Sequence, residues 1–239
     1  MLTIARSELI QLLRDRTALF TSLLMPLAAS VFFIYNRDLF VGAGGLGYIA
    51  VLLVFTLAAF SLYATVVTTL AARRQNLFLK RLRSTAATDP AIVSGLVLPV
   101  SVISLVQASV ILAVLAVVSD APANIPLLAV AVAAAFAMML ALGMATSGVT
   151  NSSERAQITT LPVSLGIVAV AMWVGVSGAE DLPLLKRLLP GGAATELMVH
   201  AWNGGYPIGD SLLLLAPTLA WVWVAVALAT RFFRWEPRR

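Results

Sequence analysis

Six stretches of this chain, 17–35, 48–70, 91–118, 126–149, 158–177 and 211–230, contain no Asp, Glu, Lys or Arg. A helix needs about 20 mostly apolar residues to cross a bilayer, and each stretch meets that length. Only 11% of the residues are charged and 60% are hydrophobic, whereas soluble domains carry roughly 25% charged residues. The sequence therefore predicts an all-α integral membrane protein, with residues 1–239 forming one transmembrane domain of six helices.

The charges gather between these stretches, on one side. With the N-terminus inside, the inward segments 1–16, 71–90, 150–157 and 231–239 hold every Lys and Arg except Arg37, Lys186 and Arg187. Short cytoplasmic loops carry the Lys/Arg excess, so both termini are predicted to be cytoplasmic. Segment 71–90, AARRQNLFLKRLRSTAATDP, concentrates Arg73, Arg74, Lys80, Arg81 and Arg83, interleaved with Leu77, Phe78 and Leu82. That pattern predicts a short amphipathic helix on the cytoplasmic surface. Residues 2–16 put Leu2, Ala5, Leu9, Leu12 and Leu13 on one face and Glu8, Gln11 and Asp15 opposite, the pattern of an interfacial helix. The tail, 231–239, reads as a basic anchor with aromatic residues at headgroup depth.

Pro26, Pro99, Pro162 and Pro217 fall inside predicted spans, where each removes a backbone hydrogen bond that neighbours must replace. Gly143 and Ser147, four residues apart among alanines, form a small-residue face for close helix contact. The outward segment 178–210 is predicted to form two short helices, 182–190 and 193–202, separated by Gly191 and Gly192. They are too short to span and would dip into or lie along the outer leaflet.

Several chemistries are excluded. A P-loop ends in Gly-Lys-Ser/Thr, but Lys80 follows Leu79 and Lys186 follows Leu185, so no nucleotide binds in that manner. With no cysteine and a single histidine, His200, there is no disulfide, thiolate site or HExxH motif, and no metal or cofactor is expected on this chain. The acidic residues lie in loops or at span ends, not where ion-coupled transporters place them, so any energy source is expected on another chain. The basic patches flank apolar runs, which points to membrane lipids and not to nucleic acid. Gly175-Val176-Ser177-Gly178 matches the GxSG of rhomboid-type intramembrane proteases. However, His200 lies about ten residues before the last span instead of within it. A small-residue exit from the fifth span and an interfacial histidine beside Trp202 account for both residues, and no catalytic residue is assigned.

Over its full length the chain resembles the membrane permeases of ABC-2 type (type V) exporters, a group that includes drug, lipid and polysaccharide exporters. Arg73-Arg74-Gln75-Asn76-Leu77-Phe78-Leu79-Lys80-Arg81-Leu82-Arg83-Ser84-Thr85 is similar to the family's coupling segment, with its LKRLR-S/T core. The run from Leu182-Pro183 through Leu189-Pro190 to Ala201-Trp202-Asn203-Gly204-Gly205 resembles its extracellular segment before the final span. The chain departs from the family at Gln75, often Glu, at Leu77, often Gly, and at Ala86, often Pro. The resemblance implies a permease that pairs with a second copy or paralogue and docks a cytoplasmic ATP-binding subunit with a P-loop, which would carry the ATP and Mg. Docking would fall to Arg74, Leu77, Phe78, Lys80, Arg81, Leu82 and Arg83, with Arg14 and Arg16 of the N-terminal helix as a second contact. The cargo, a drug, antibiotic or lipid, would pass a cavity lined by spans 2 and 5, with Phe55, Thr56, Phe60, Thr65, Met172 and Trp173 as candidates. The runner-up is a membrane assembly or sensor protein of the same fold. Ala/Val/Leu/Arg-rich usage points to a high-GC bacterial genome and hence to the inner membrane.

Overall fold

The computed structural model describes residues 5, 6, 8–10, 14, 23–84 and 88–232. All described elements are helical. From residue 25 onward these are α1 (Met25–Tyr35), α2 (Arg37–Leu57), a π-helical segment (Ala58–Tyr63), α3 (Ala64–Gln75), α4 (Phe78–Arg83), α5 (Asp89–Val118), α6 (Ile125–Val149), α7 (Ser153–Ser177), α8 (Pro183–Leu188), α9 (Gly192–Asn203), α10 (Ile208–Leu213) and α11 (Leu215–Phe232).

Among the described residues, five helices are long and apolar enough to cross a membrane: Arg37–Gln75, Asp89–Val118, Ile125–Val149, Ser153–Ser177 and Ile208–Phe232. The protein is thus an all-α, multi-pass membrane protein. The first expected span is represented by the shorter apolar helix Pro26–Tyr35; its 17–22 portion lies outside the described residues. The second span is longer than its charge-free run. It starts at Arg37 and passes through Gly45, whose φ of 76° bends it in a conformation that glycine adopts without steric cost. Segment 178–207 holds two short helices, α8 and α9, while α10 opens the last long apolar helix and is set off from α11 by a turn at Leu214.

The continuous helix α2–π–α3 is the centre of the bundle: 78% of its most apolar stretch is buried, against 22% for the last helix. It packs on α5, α6 and α7, while α6 runs along α11. Gly143 makes the α6 approach possible, since a Cβ there would lie 3.1 Å from Val66 Cγ1. At the other end, a Cβ at Gly44 would overlap the Gly175 carbonyl oxygen, and Tyr48 lies across Gly175, which closes α2 onto α7. The outer faces of α5 (Val102, Val106, Val110), α7 (Ile158, Leu165) and α11 (Leu219, Trp223) are exposed and apolar, as a surface solvated by lipid requires.

Helix α9 is packed into the bundle. Residues Gly192 to Met198, Ala201 and Trp202 are buried, packed against α2, α6 and α7. The αL conformation of Gly191, at φ 92°, turns the chain inward there. A Cβ on Gly192 would overlap the Lys186 carbonyl oxygen, so the entry admits only glycine.

Candidate functional site

The basic end of the bundle is built around the elbow between α3 and α5. Backbone N–H groups of Asn76 and Leu77 donate to Ala72 and Arg74 carbonyls at 3.0 Å and close α3. Leu77 then adopts φ 56°, ψ 14°, a left-handed conformation costly for a residue with a Cβ. This single residue reverses the chain into α4. Leu79, fully buried, anchors α4 in the core, and Phe78 and Leu82 pack at its margin. Lys80, Arg81 and Arg83 are exposed. Arg81 donates to the Asn76 carbonyl at 3.1 Å, and Arg83 lies 3.4 Å from Asp89. The helix is therefore a short basic ridge held to the bundle by one apolar face.

Arg73 and Arg74 do not share that ridge. Successive helical residues point about 100° apart, and the two arginines serve different elements. Arg74 is 3% exposed and donates to the Ser147 carbonyl at 2.8 Å and to the Thr150 carbonyl. It thereby caps the C-terminal end of α6, where the Ser147 carbonyl also accepts from the Thr150 N–H at 3.3 Å. Its guanidinium holds α3 to α6 and is not presented at the surface. Arg73 donates to Glu8 Oε2 at 2.7 Å and lies 5.2 Å from the centre of the Phe78 ring, which joins the N-terminal segment to the elbow. Arg14 is exposed; Arg16 lies outside the described residues.

The candidate cavity residues separate into three groups. Phe55 is fully buried and lies beneath Gly191, where a Cβ would come 3.1 Å from its ring; its contacts are those of a core residue. Thr56, Phe60 and Thr65 are half-buried on α2–π–α3. Met172 and Trp173 are exposed on α7, at 44% and 40%. Spans 2 and 5 do lie side by side, in contact along α2, α3 and α7.

Around α7's other end, Lys186 is buried and donates to Ser177 Oγ at 2.8 Å and to the Gly178 carbonyl at 2.7 Å, 5.2 Å from the Trp173 ring centre. A cation bonded to the carbonyl just past a helix's last turn is a C-terminal cap favoured by the helix dipole. Ser177 itself donates to the Trp173 carbonyl. His200 is engaged elsewhere: its Nδ1 lies 3.1 Å from Ser211 Oγ, and its ring stacks on Tyr206 at 3.6 Å. Ser177 and His200 therefore hold separate hydrogen-bond partners and form no nucleophile–base pair.

Glu196, 8% exposed, receives two hydrogen bonds from Arg187, at 2.8 and 2.7 Å, a fork geometry that fixes α8 to α9. That hydrogen bond makes the Arg187 guanidinium still harder to deprotonate. His200 Nε2 lies 3.9 Å from Glu196 Oε1. Burial pushes the His200 imidazole below its ordinary value, opposed by the Glu196 charge and assisted by that of Arg187. A cleft of about 560 Å3 opens beside them, rimmed by Arg187, His200 and Asp210 over Leu213, Leu214 and Pro217. Its arginine and histidine are spent on neighbouring side chains. Asn203 Oδ1 accepts from the Gly47 N–H at 2.9 Å, and the Ala201 and Trp202 carbonyls accept from Asn124 and Ala123. Helix α9 thus ties together α2, the α5–α6 loop, α8 and α10. No group of three or more His, Asp or Glu side chains suited to a metal occurs among the described residues.

The sequence reading missed Arg74 as a helix cap, the Glu8–Arg73 pair, the Lys186 cap and the π segment. Adjacent arginines closing a helix do carry a signal, because they must face different neighbours. The other contacts are long-range and have no sequence pattern. The profile of the family described as ABC-2 family transporter protein matches residues 30–229 of this chain. No curated protein matches it significantly.

Proposed function

This chain belongs to the ABC-2 transporter family, and we propose that it is the membrane permease of an ATP-driven exporter that moves an amphipathic drug, antibiotic or lipid out of the cytoplasm or inner leaflet. On this reading six helices span the bacterial inner membrane with both termini cytoplasmic, the first span including residues 17–22. Two permease copies, or this chain and a paralogue, pair with cytoplasmic P-loop subunits that bind ATP and Mg.

The observation that carries the reading is α4. A six-residue helix with three exposed cations on one face and a fully buried leucine on the other is fixed to the membrane domain and open to a soluble partner. Force applied at Lys80, Arg81 or Arg83 would pass through Leu77 into α3 and, through Arg74, into α6. The left-handed turn forms with Leu77 at its centre, which supports a coupling elbow at this position.

The test is mild-detergent purification from the native membrane, with mass spectrometry of co-purifying chains. An ATP-binding subunit in equal ratio, lost on Lys80→Glu with Arg81→Glu while permease abundance is unchanged, is expected. Recovery of the chain without such a subunit refutes the reading.

A further inference from the structure

Residues Ala58–Tyr63 are π-helical, closed by the Ala64 N–H donating to the Ala59 carbonyl, five residues back instead of four. Such widened turns in α-helices concentrate at functional sites. The segment lies midway along the central helix. Ser104 Oγ of α5 is 2.9 Å from Ser61 Oγ, and Thr146 of α6 accepts from the Tyr63 hydroxyl at 3.0 Å. Ser164 Oγ of α7 is 3.5 Å from the Ala59 carbonyl. Ser61, Ser104 and Ser164 are all buried. Three neighbouring helices thus bring hydroxyls to the one place where the central helix departs from α geometry.

We propose that this π segment is a register joint, in which span 2 converts between a π and an α turn as the basic end moves relative to the opposite end. This rests on the permease reading for its purpose. The geometry has the required parts. On one side, α3 is tied to α6 by Arg74; on the other, α2 is tied to α9 through Gly47 and Asn203. A π turn holds one residue more than the α turn it replaces, so conversion displaces one half of the helix against the other. Inside a membrane any backbone group released must find a new partner. A hydroxyl both donates and accepts, and it rotates to suit; a serine or threonine facing the segment from each of three helices meets that need in both registers. Register shifts of this kind fall in the microsecond to millisecond range, compatible with a transport cycle.

Deleting one residue from 58–63 restores an α-helix while keeping both flanking faces in place, and so tests the joint. The chain has no cysteine, so spin labels can be attached uniquely at Gly42→Cys, where an added Cβ meets nothing within 4 Å, and at Gln75→Cys, which is exposed. Pulsed electron paramagnetic resonance is recorded in lipid nanodiscs, with Mg-ATP and the ATP-binding subunit added where one co-purifies. The intact chain is expected to show two distance populations, and the Ala58 deletion one. A single population in the intact chain, unmoved by nucleotide, overturns the joint. So do two populations that survive the deletion, which would place the motion at Gly45. If the deletion variant fails to accumulate, Ser164→Ala replaces it. Loss of one hydrogen bond is expected to shift the population ratio by about threefold or more, and an unchanged ratio overturns the proposal. Failure to recover an ATP-binding subunit counts against the permease reading alone, because the label distances are read on the chain itself.

Discussion

Arg73 Nη2 stands 2.7 Å from Glu8 Oε2, and the Glu8 side chain is only 8% exposed. A carboxylate in that position is tolerable only while it is paired, and removing one partner of a buried pair costs more than the pair contributes. Glu8 therefore commits the N-terminal segment to the elbow that carries α4. Arg73→Met is expected to destabilise the protein by about 3 kcal/mol. Arg73→Met combined with Glu8→Leu should recover most of that loss, as read by thermal melting in detergent. Equal additive losses in the two single variants and the double variant would show that the pair is not coupled.

Leu77 stores strain in its left-handed backbone conformation. A left-handed residue with a Cβ costs roughly 1–2 kcal/mol, offset in part by glycine's greater freedom in the unfolded chain. Leu77→Gly is expected to leave stability unchanged or raise it by up to about 1 kcal/mol. Leu77→Val, β-branched and poorly suited to positive φ, should lower it. A stability order with Val above Gly would contradict the φ of 56°.

Five spans were legible because burial in lipid selects long apolar runs. The basic helix was legible because its charges interleave with Phe78, Leu79 and Leu82. What escaped detection depends on contacts distant in sequence. Arg74 looks like its neighbour until α6, more than seventy residues later, brings the Ser147 carbonyl within 2.8 Å. Lys186 reads as an outward basic residue until Ser177 and Gly178 are placed beside it. The π segment has no composition of its own, since Ala-Ala-Phe-Ser-Leu-Tyr would serve equally in an α-helix. The aromatic character of Phe55 suits a cavity wall, but the inward turn at Gly191 covers its ring.

Two glycines separate space from flexibility. At Gly192 a Cβ meets the backbone carbonyl of Lys186, which cannot move aside without dismantling α8, whereas at Gly42 it meets nothing. Gly192→Ala is expected to cost more than about 3 kcal/mol or to abolish accumulation, beyond ordinary overpacking. Gly42→Ala, in the helix α2, should stabilise by about 0.5–1 kcal/mol. Expression and melting of the two variants side by side check both directions.

His200 makes the cap formed by α8, α9 and α10 sensitive to acid. Its imidazole faces Glu196 on its own helix, Arg187 from α8, Tyr206 before α10, and Asp210 across the cleft. Burial lowers its folded value despite Glu196, while the unfolded chain titrates near 6.5. Just below that pH the unfolded state binds more protons than the folded one, so stability falls as the pH drops. The loss begins near 6.5 and levels off below the depressed folded value. The melting temperature is therefore expected to fall between pH 7.5 and 5, and the fall should be smaller in His200→Gln, whose amide keeps a hydrogen bond to Ser211 without titrating. A melting temperature that rises on acidification in the intact chain, and not in the variant, would mean that attraction to Glu196 outweighs burial. In that case acid would tighten the joint between α9 and α10.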